Sequence, residues 1–384
     1  MELTKCKLGE LITQRREKND GSDLPICGVS KDGLIPPKQK DADTSIYNVF
    51  YRDDFIFNPA RMELNSIAIN DMYDRAICSS LYEVFYVHRT DLLLPHYLEL
   101  IIRQKWFTRY CEFLGQGSAR EYCRFGNISE IEIEFPPIKE QQKIVDYNTA
   151  IENRIALKQK INDNLVAVGT ASIQKNVGRG ALINLTEAEM DSLIFPEDFK
   201  IKTVSEFCAE TKSGSTPSRT NNEYWENGTI SWVKSGEVHN NITLQTEEYI
   251  TSLGLSESST KLLPKDTVLM AMYGVTAGEV GYLAIEATTN QAICGMICRS
   301  KAEAAYLYFS LIQSQAAISR LSNGGAQDNL SKNFIDNIKI VVPPSEFIEK
   351  LNLAAIVEQM TLNTKEITLL EELQATVLAQ LSSR

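Results

Sequence analysis

Two stretches of this chain carry apolar residues at helical spacing over an unusual length. Pro136 and Pro137 close whatever precedes them, because each lacks an N–H and fixes φ, and from there the chain runs without Gly or Pro to Val168. Ile144, Tyr147, Ile151, Ile155, Ile161, Leu165 and Val168 recur at steps of three, four or six, which keeps one narrow stripe on one helix face. Lys158 and Asn162 fall in or beside that stripe. About thirty residues at 1.5 Å each make a helix of roughly 45 Å, longer than most globular helices. The pattern therefore predicts a partner helix. From Ile356 the chain supplies one: Ile356, Met360, Asn363, Ile367, Leu370, Gln374, Val377 and Leu381 alternate steps of four and three, the seam of a heptad repeat. Asn363 and Gln374 are polar seam residues of the kind that fix register at some cost in stability.

The remaining patterns are shorter. Residues 8 to 18 read as helical, with Leu8, Leu11 and Ile12 on one face. Runs at 25–29, 46–50, 55–57, 67–69 and 82–87, broken by turn residues, predict strands of a mostly antiparallel sheet. Residues 95–113 predict a helix, followed by a loop at 115–126 and a closing strand at 128–135. A second set follows: strands at 230–233, 268–272, 280–283 and 292–298, a helix at 306–321, and a loop at 323–333.

The two sets are copies. A shift of 207 lays Ile128, Ile131, Ile133, Pro136 and Pro137 on Ile335, Ile338, Ile340, Pro343 and Pro344, and Leu114, Gly117 and Ala119 on Leu321, Gly324 and Ala326. Upstream the shift drifts: Asp54 matches Asp266 at 212, and Ala76-Ile77-Cys78 matches Ala292-Ile293-Cys294 at 216. The fold expected is α+β, a duplicated unit in which each globular domain is followed by a long helix, the two helices pairing as an antiparallel coiled coil with pseudo-two-fold symmetry. The expected boundaries are 1–135 and 200–342 for the domains, 136–175 and 343–384 for the helices, and 176–199 for a connector that lets the second domain travel back along the first helix.

Composition narrows the function. The chain has 384 residues and a formal net charge of -11. The balance is -4 over 1–135 and -2 over 200–342, so non-specific phosphate binding by the chain alone should be weak. The first ten residues lack the apolar core of a signal peptide, and no apolar run approaches membrane-spanning length, so a cytoplasmic location is the expectation. The eight cysteines form no C-x-x-C pair and there are three histidines, which predicts reduced, buried thiols and no metal site.

Two short motifs imitate methyltransferase chemistry. Phe113-Leu114-Gly115-Gln116-Gly117 has the F-x-G-x-G spacing of an adenosylmethionine loop, but it follows a helix and precedes a strand, the reverse of what such a loop needs. Asn58-Pro59-Ala60-Arg61 lacks the second proline and the stacking aromatic of a motif that grips a flipped adenine. No H-x-x-x-H pair, G-x-S-x-G elbow or Walker loop is present. The chain is expected to be non-catalytic.

Three further features carry a resemblance to a known family: Pro136-Pro137 with Glu140-Gln141-Gln142-Lys143-Ile144 opening the first long helix; Gly214-Ser215-Thr216-Pro217-Ser218 with Glu223-Tyr224-Trp225 opening the second domain; and Thr288-Thr289-Asn290-Gln291-Ala292-Ile293 leading into a strand. In order, they resemble the DNA specificity subunit of Type I restriction-modification enzymes. The resemblance implies two target recognition domains, each reading one short block of an asymmetric double-stranded DNA site, with the helices setting the gap. It also implies partners: two modification methyltransferase subunits holding S-adenosylmethionine and methylating adenine, and two restriction subunits driven by ATP with Mg2+. None of these cofactors is expected on this chain. The second helical region departs from the pattern, opening Pro343-Pro344-Ser345-Glu346-Phe347-Ile348 without the Glu-Gln-Gln run.

The expected DNA contacts lie on loops. Ser118, Arg120 and Arg124 sit on a Gly-rich loop suited to guanine or phosphate, and the matching loop of the second copy holds Gln327, Asn329 and Lys332. Lys212, Thr216, Ser218, Arg219 and Lys234 form a second cluster, and Arg61 and Tyr73 are candidates in the first domain. Lys31, Lys38 and Lys40 read as a charged loop, and Trp225 and Trp232 as core. The competing reading is a coiled-coil scaffold whose duplicated domains bind proteins and never touch DNA.

Overall fold

The computed structural model describes residues 3–31, 33–37, 43–115, 122–183, 185, 189, 193–239, 242–323 and 329–382. It divides into two compact units, Met1–Arg154 with Leu370–Arg384, and Ile155–Leu369. The division passes through both long helices, so each unit holds one globular domain and a part of each helix.

In the first unit the strands Ile12–Arg15, Glu83–Val87, Phe55–Phe57 and Ile67–Ile69 form one antiparallel sheet in that order. Gly33–Ile35, Ile26–Ser30, Arg75–Cys78 and Asn48–Tyr51 form a second sheet, with the middle pair parallel. The core lies under the first sheet, where Phe55 stacks on Phe85 at 5.0 Å, and is closed by the helices Pro95–Ile102 and Lys105–Gly115. Buried Asp54 is held by Arg15 at 2.6 Å and by the Tyr51 N–H at 2.8 Å, and the Arg15 guanidinium lies over the Tyr51 and Tyr86 rings. Burial still pushes the Asp54 carboxyl above its ordinary value.

The second unit repeats the plan. Its first sheet runs Glu210–Ser213, Ile293–Ile297, Thr267–Ala271, Val280–Leu283 and Ile242–Thr243, and its second runs Glu248–Ile250, Ile230–Val233 and Thr288–Thr289, the last pair parallel. One helix, Lys301–Asn323, fills the place of two in the first unit. The correspondence extends to single bonds. Leu8 N–H donates to Ile131 O at 2.8 Å, and Val204 N–H to Ile338 O at 2.9 Å. Phe55 faces Phe85 across the first sheet, and Thr267 faces Ile297, each 212 residues on.

This pairing corrects one sequence match. Ile293–Ile297 occupies the place of Glu83–Val87, and the parallel strand Thr288–Thr289 occupies that of Arg75–Cys78. The match of Ala76-Ile77-Cys78 to Ala292-Ile293-Cys294 is therefore coincidental, two buried strands drawing on the same small apolar residues. Residues 8–18 are not a helix either. Leu8–Glu10 makes a single 3-10 turn, after which Ile12–Arg15 pairs with Glu83–Val87. Three apolar residues in five fit either structure, and the cross-strand bonds decide. The helix expected over 95–113 breaks at Arg103–Gln104, where buried Gln104 accepts from the Trp106 indole at 2.8 Å. The strand expected from Ile128 starts at Glu132, after the short helix Phe125–Ser129.

The central helix runs 39 residues, Ile138–Asn176, eight beyond Val168. At 1.5 Å per residue that is roughly 58 Å. The C-terminal region opens with the short helix Ser345–Lys350, breaks where Asn352 adopts φ 53, and then runs 30 residues, Leu353–Ser382. In the second unit Lys158 Nζ meets Glu366 at 2.7 Å and Asn363 at 3.1 Å, while Asn363 donates to Asn162 at 2.8 Å. In the first, Gln374 donates to Asn148 at 3.0 Å and to Glu152 at 3.2 Å. The helices pair antiparallel through these polar layers. Of the apolar seam, Ile151 is buried, and Ile144, Ile155, Leu165, Ile356, Ile367, Leu370 and Val377 are half-buried. Tyr147 and Val168 leave the stripe: both are more than half exposed, because the positions that face inward are their neighbours, buried Asn148 and Gly169.

Gln141, from the motif that opens the central helix, is fully buried. Its carbonyl accepts the Leu94 N–H at 2.9 Å, and its amide donates to Leu92 O and Pro136 O, each at 2.7 Å. It bolts the helix to its domain. The position 207 residues on is Ile348, which is buried and apolar, so the second copy makes that junction by packing.

Candidate nucleic-acid interface

A cleft of about 1500 Å³ opens on the first domain. The hairpin formed by Ile26–Ser30 and Gly33–Ile35 walls one side, the loop Asn58–Ser66 and the turn at 79–83 continue the rim, and Tyr122 and Arg124 arrive from the segment before the closing strand. Lys31, Arg61, Arg103 and Arg124 line it with the aromatic rings of Tyr47, Tyr82 and Tyr122, against the carboxylates of Glu63 and Glu83. Arg61 is exposed, and neither it nor Lys31 has a carboxylate partner among the described residues. Arg124 lies 5.5 Å over the Tyr122 ring and 3.4 Å from Glu83, whose carboxylate is also engaged by the Phe125 N–H at 2.8 Å. Arg103 is tied to Glu99 and Glu152. Chemically this is a wide, cation-bearing groove with ring faces at its edge, suited to a polyanion carrying flat bases.

The second domain presents a different surface. Gly214 can have no Cβ, since one would sit 2.2 Å from Thr289 O, and this close approach lets Ser215 N–H reach Thr289 O at 2.9 Å and Thr216 Oγ1 donate to Gln291 at 2.6 Å. The loop at 214–218 and the segment 288–293 are thus one structure. Trp225 and Trp232 meet edge to face at 5.0 Å, and their indole N–H groups donate to Ser218 O and Ser215 O, each at 3.0 Å. Arg219 lies over both rings, 3.7 Å from the first centroid and 4.9 Å from the second. Trp232 is buried as expected, but Trp225 is half-exposed and serves as the platform for Arg219. Arg219 also binds Glu248, holding that carboxyl below its ordinary value, and Lys234 bonds Glu247 at 2.5 Å and Glu248 at 3.3 Å. Lys212 pairs with Glu210 at 2.9 Å. Lys332 is held between Thr211 at 2.7 Å and Asp336 at 2.6 Å, while Asn329 is exposed. Ser218 Oγ lies 2.9 Å from Thr220 Oγ1.

The family model of the Type I restriction modification DNA specificity domain matches residues 6–167 and again 196–375. The chain belongs to that family. It is 22% identical over 357 residues to the Type I restriction enzyme HindI specificity subunit of Haemophilus influenzae, covering 76% of this chain and 77% of the relative. It is 20% identical over 304 residues to the MjaIX specificity subunit of Methanocaldococcus jannaschii, covering 76% and 69%. A crystal structure of a Type I restriction-modification system S subunit from M. genitalium shares the fold, with a TM-score of 0.58 at 16% identity over 99% of this chain and 96% of that one.

Membership places the sequence candidates in context. In the first specificity domain the fold brings Arg61 and Arg124, distant in sequence, to one cleft with Lys31; Tyr73 is half-buried beside the second sheet and is not part of that rim. In the second, Lys212, Arg219, Lys234 and Lys332 are each neutralised by a carboxylate. Ser118, Arg120 and Gln327 lie outside the described residues. Sequence reasoning missed Tyr47, Tyr82 and Tyr122, which come from three separate segments and carry no local signal. The Asn58-Pro59-Ala60-Arg61 imitation is a cleft wall, its Asn58 capping a 3-10 turn through the Ala60 N–H at 3.1 Å. Among the described residues no cluster of His, Cys, Asp or Glu is arranged to hold a metal, and no helix is long and apolar enough to cross a membrane. Six of the eight cysteines are buried, and burial pushes the Cys294 thiol up to about 12.

Proposed function

We propose that this specificity subunit reads a bipartite, asymmetric site on double-stranded DNA, one block per domain, and directs adenine methylation by two modification subunits and cleavage by two restriction subunits. The observation that carries the reading is the first-domain cleft, where Arg61, Lys31 and Arg124 converge with half-buried tyrosines inside a chain of this family. The two domains differ in their polar surface, so the two blocks differ in sequence. S-adenosylmethionine, ATP and Mg2+ belong to the partner subunits in this reading. The long helices act as the ruler between blocks, and their exposed apolar residues, Tyr147, Leu157, Val168, Leu362, Leu369 and Leu373, offer the methyltransferase subunits a surface to dock on. An acidic chain with most second-domain cations already paired binds DNA poorly alone, and its partners complete the channel.

The test is a map of methylated adenine across the genome of the source cells, with and without the gene. Loss of methylation at a single motif of two short blocks with a fixed gap supports the reading and spells out the target. An unchanged map, in cells whose methyltransferase subunit is shown to be active and bound to this chain, sinks it in favour of the protein-binding scaffold.

A further inference from the structure

Each domain carries a hairpin loop at the same place in its first sheet, and the two are built alike. In the first unit the loop is closed by Asn58 N–H donating to Ser66 O at 2.9 Å; in the second, by Ala271 N–H donating to Glu279 O at 2.9 Å. Each loop is then fastened at one point to the segment before the closing strand. Cys123 N–H donates to Pro59 O at 3.0 Å, and Leu330 N–H, 207 residues on, donates to Met272 O at 2.8 Å. The hairpin thus stands beside Arg124 in one domain and beside Asn329 in the other.

The tips share a property that folding does not explain. Leu64 is 57% exposed and Val275 is 104% exposed, with Tyr273 39% exposed beside it. Val275 is framed by Gly274 and Gly278, at φ 75 and 88, a backbone that turns tightly, buries Thr276 and Ala277 against the domain and leaves Val275 alone pointing out. In the first domain Asn65 takes the same left-handed role at φ 52, and the loop's Asn58, Arg61 and Leu64 line the basic cleft. A bare aliphatic side chain on a stiff finger, next to cations or amides, matches one need of base reading: the thymine C5-methyl group in the major groove is recognised by apolar contact, and it is unique to A·T pairs there.

We propose that the loops Asn58–Ser66 and Met272–Glu279 are the groove-entering fingers of the two domains, with Leu64 and Val275 the residues that touch base edges and select a thymine methyl. This rests on the DNA reading above. Glu279 at the base of the second finger is bonded by His239 at 2.9 Å, which keeps that carboxylate turned aside.

Methylated-adenine maps of cells carrying the wild-type gene, Val275→Ser or Val275→Asp, with the native partner subunits, test it. Both changes fall on a fully exposed residue. Val275→Ser removes both methyl groups, so one A·T position of one block should lose its stringency, raising the number of methylated sites up to about fourfold while the other block stays intact. Val275→Asp should cut methylation at the cognate sites. Leu64→Ser should relax the opposite block. Motifs and occupancy unchanged in both Val275 variants overturn the proposal while leaving the wild-type bipartite motif, and so the DNA reading, in place; in Val275→Ser, a uniform loss with both blocks as stringent as before also overturns it. Absence of any bipartite motif in the wild type removes the reading beneath it.

Discussion

Single residues here divide into those that hold the fold and those free to meet a ligand, and the division differs from the one charge alone suggests. Arg15 and Asp54 look like surface charges in the sequence, yet Asp54 is 1% exposed and Arg15 is its counter-ion. Arg15→Met should destabilise the first domain by roughly 3–5 kcal/mol, because it strands a buried carboxylate; the double change Arg15→Met with Asp54→Leu should recover most of that, both read by urea unfolding. Arg61, exposed and without a carboxylate partner among the described residues, should behave oppositely. Arg61→Ala should leave unfolding unchanged but lower the slope of log affinity against log salt by about one in the assembled complex. Lys332→Ala should do the reverse, since its ammonium is engaged by Thr211 and Asp336. Glu248 holds Arg219 and Lys234 in check. Glu248→Gln should release Arg219, while Lys234 keeps Glu247, and steepen the salt dependence of DNA binding. Because the wild-type Glu248 pKa is depressed, its stabilising contribution is complete above the unfolded value near 4.5 and fades as pH falls through the folded value; the variant should lack that acid-side loss in a thermal scan.

At the scale of elements, the long helices were legible and several short strands were not, for physical reasons. A heptad stripe over about six turns repeats its signal, so Ile356 through Val377 announce a helix and a partner together. Thr4–Lys7 and Arg75–Cys78 are four residues each, stabilised by strands far away in sequence, and no local pattern marks them. The same holds for the cleft: Arg124 could be suggested from its Gly-rich loop, but only topology joins it to Arg61 and Lys31. The polar layers of the helix pair show where pattern and structure agree most closely. Asn363 is 1% exposed and bonded to Lys158 and Asn162. Asn363→Leu should cost roughly 1–3 kcal/mol, since it leaves Asn162 and Lys158 without their buried partner. Changing Asn162 and Asn363 to Leu together should return stability while loosening register, visible as a broader unfolding transition.

The whole molecule is a duplication in which the strand ladders were kept and the surfaces diverged. Gln141 bolts one helix to its domain where Ile348 packs the other, and the first domain bears a cleft with uncompensated cations where the second bears cations matched by carboxylates. Divergence of that kind suits the proposed reading of two unlike blocks, in which the helices are the part proposed to measure. Lengthening them tests the ruler directly. An insertion after Val168 is a poor choice, because Gly169 follows at once and packs so closely on Phe309 that a Cβ would lie 2.3 Å from its ring. Matched insertions between Arg154 and Ile155 and between Leu369 and Leu370 preserve the contacts inside each unit. Seven residues in each keep the heptad face and add roughly 10 Å, about three base pairs at 3.4 Å each. The methylated motif should keep both blocks and widen its gap by about three positions; an unchanged gap would show that the helices do not set the spacing, and loss of one block with the other retained would show that they do more than set it.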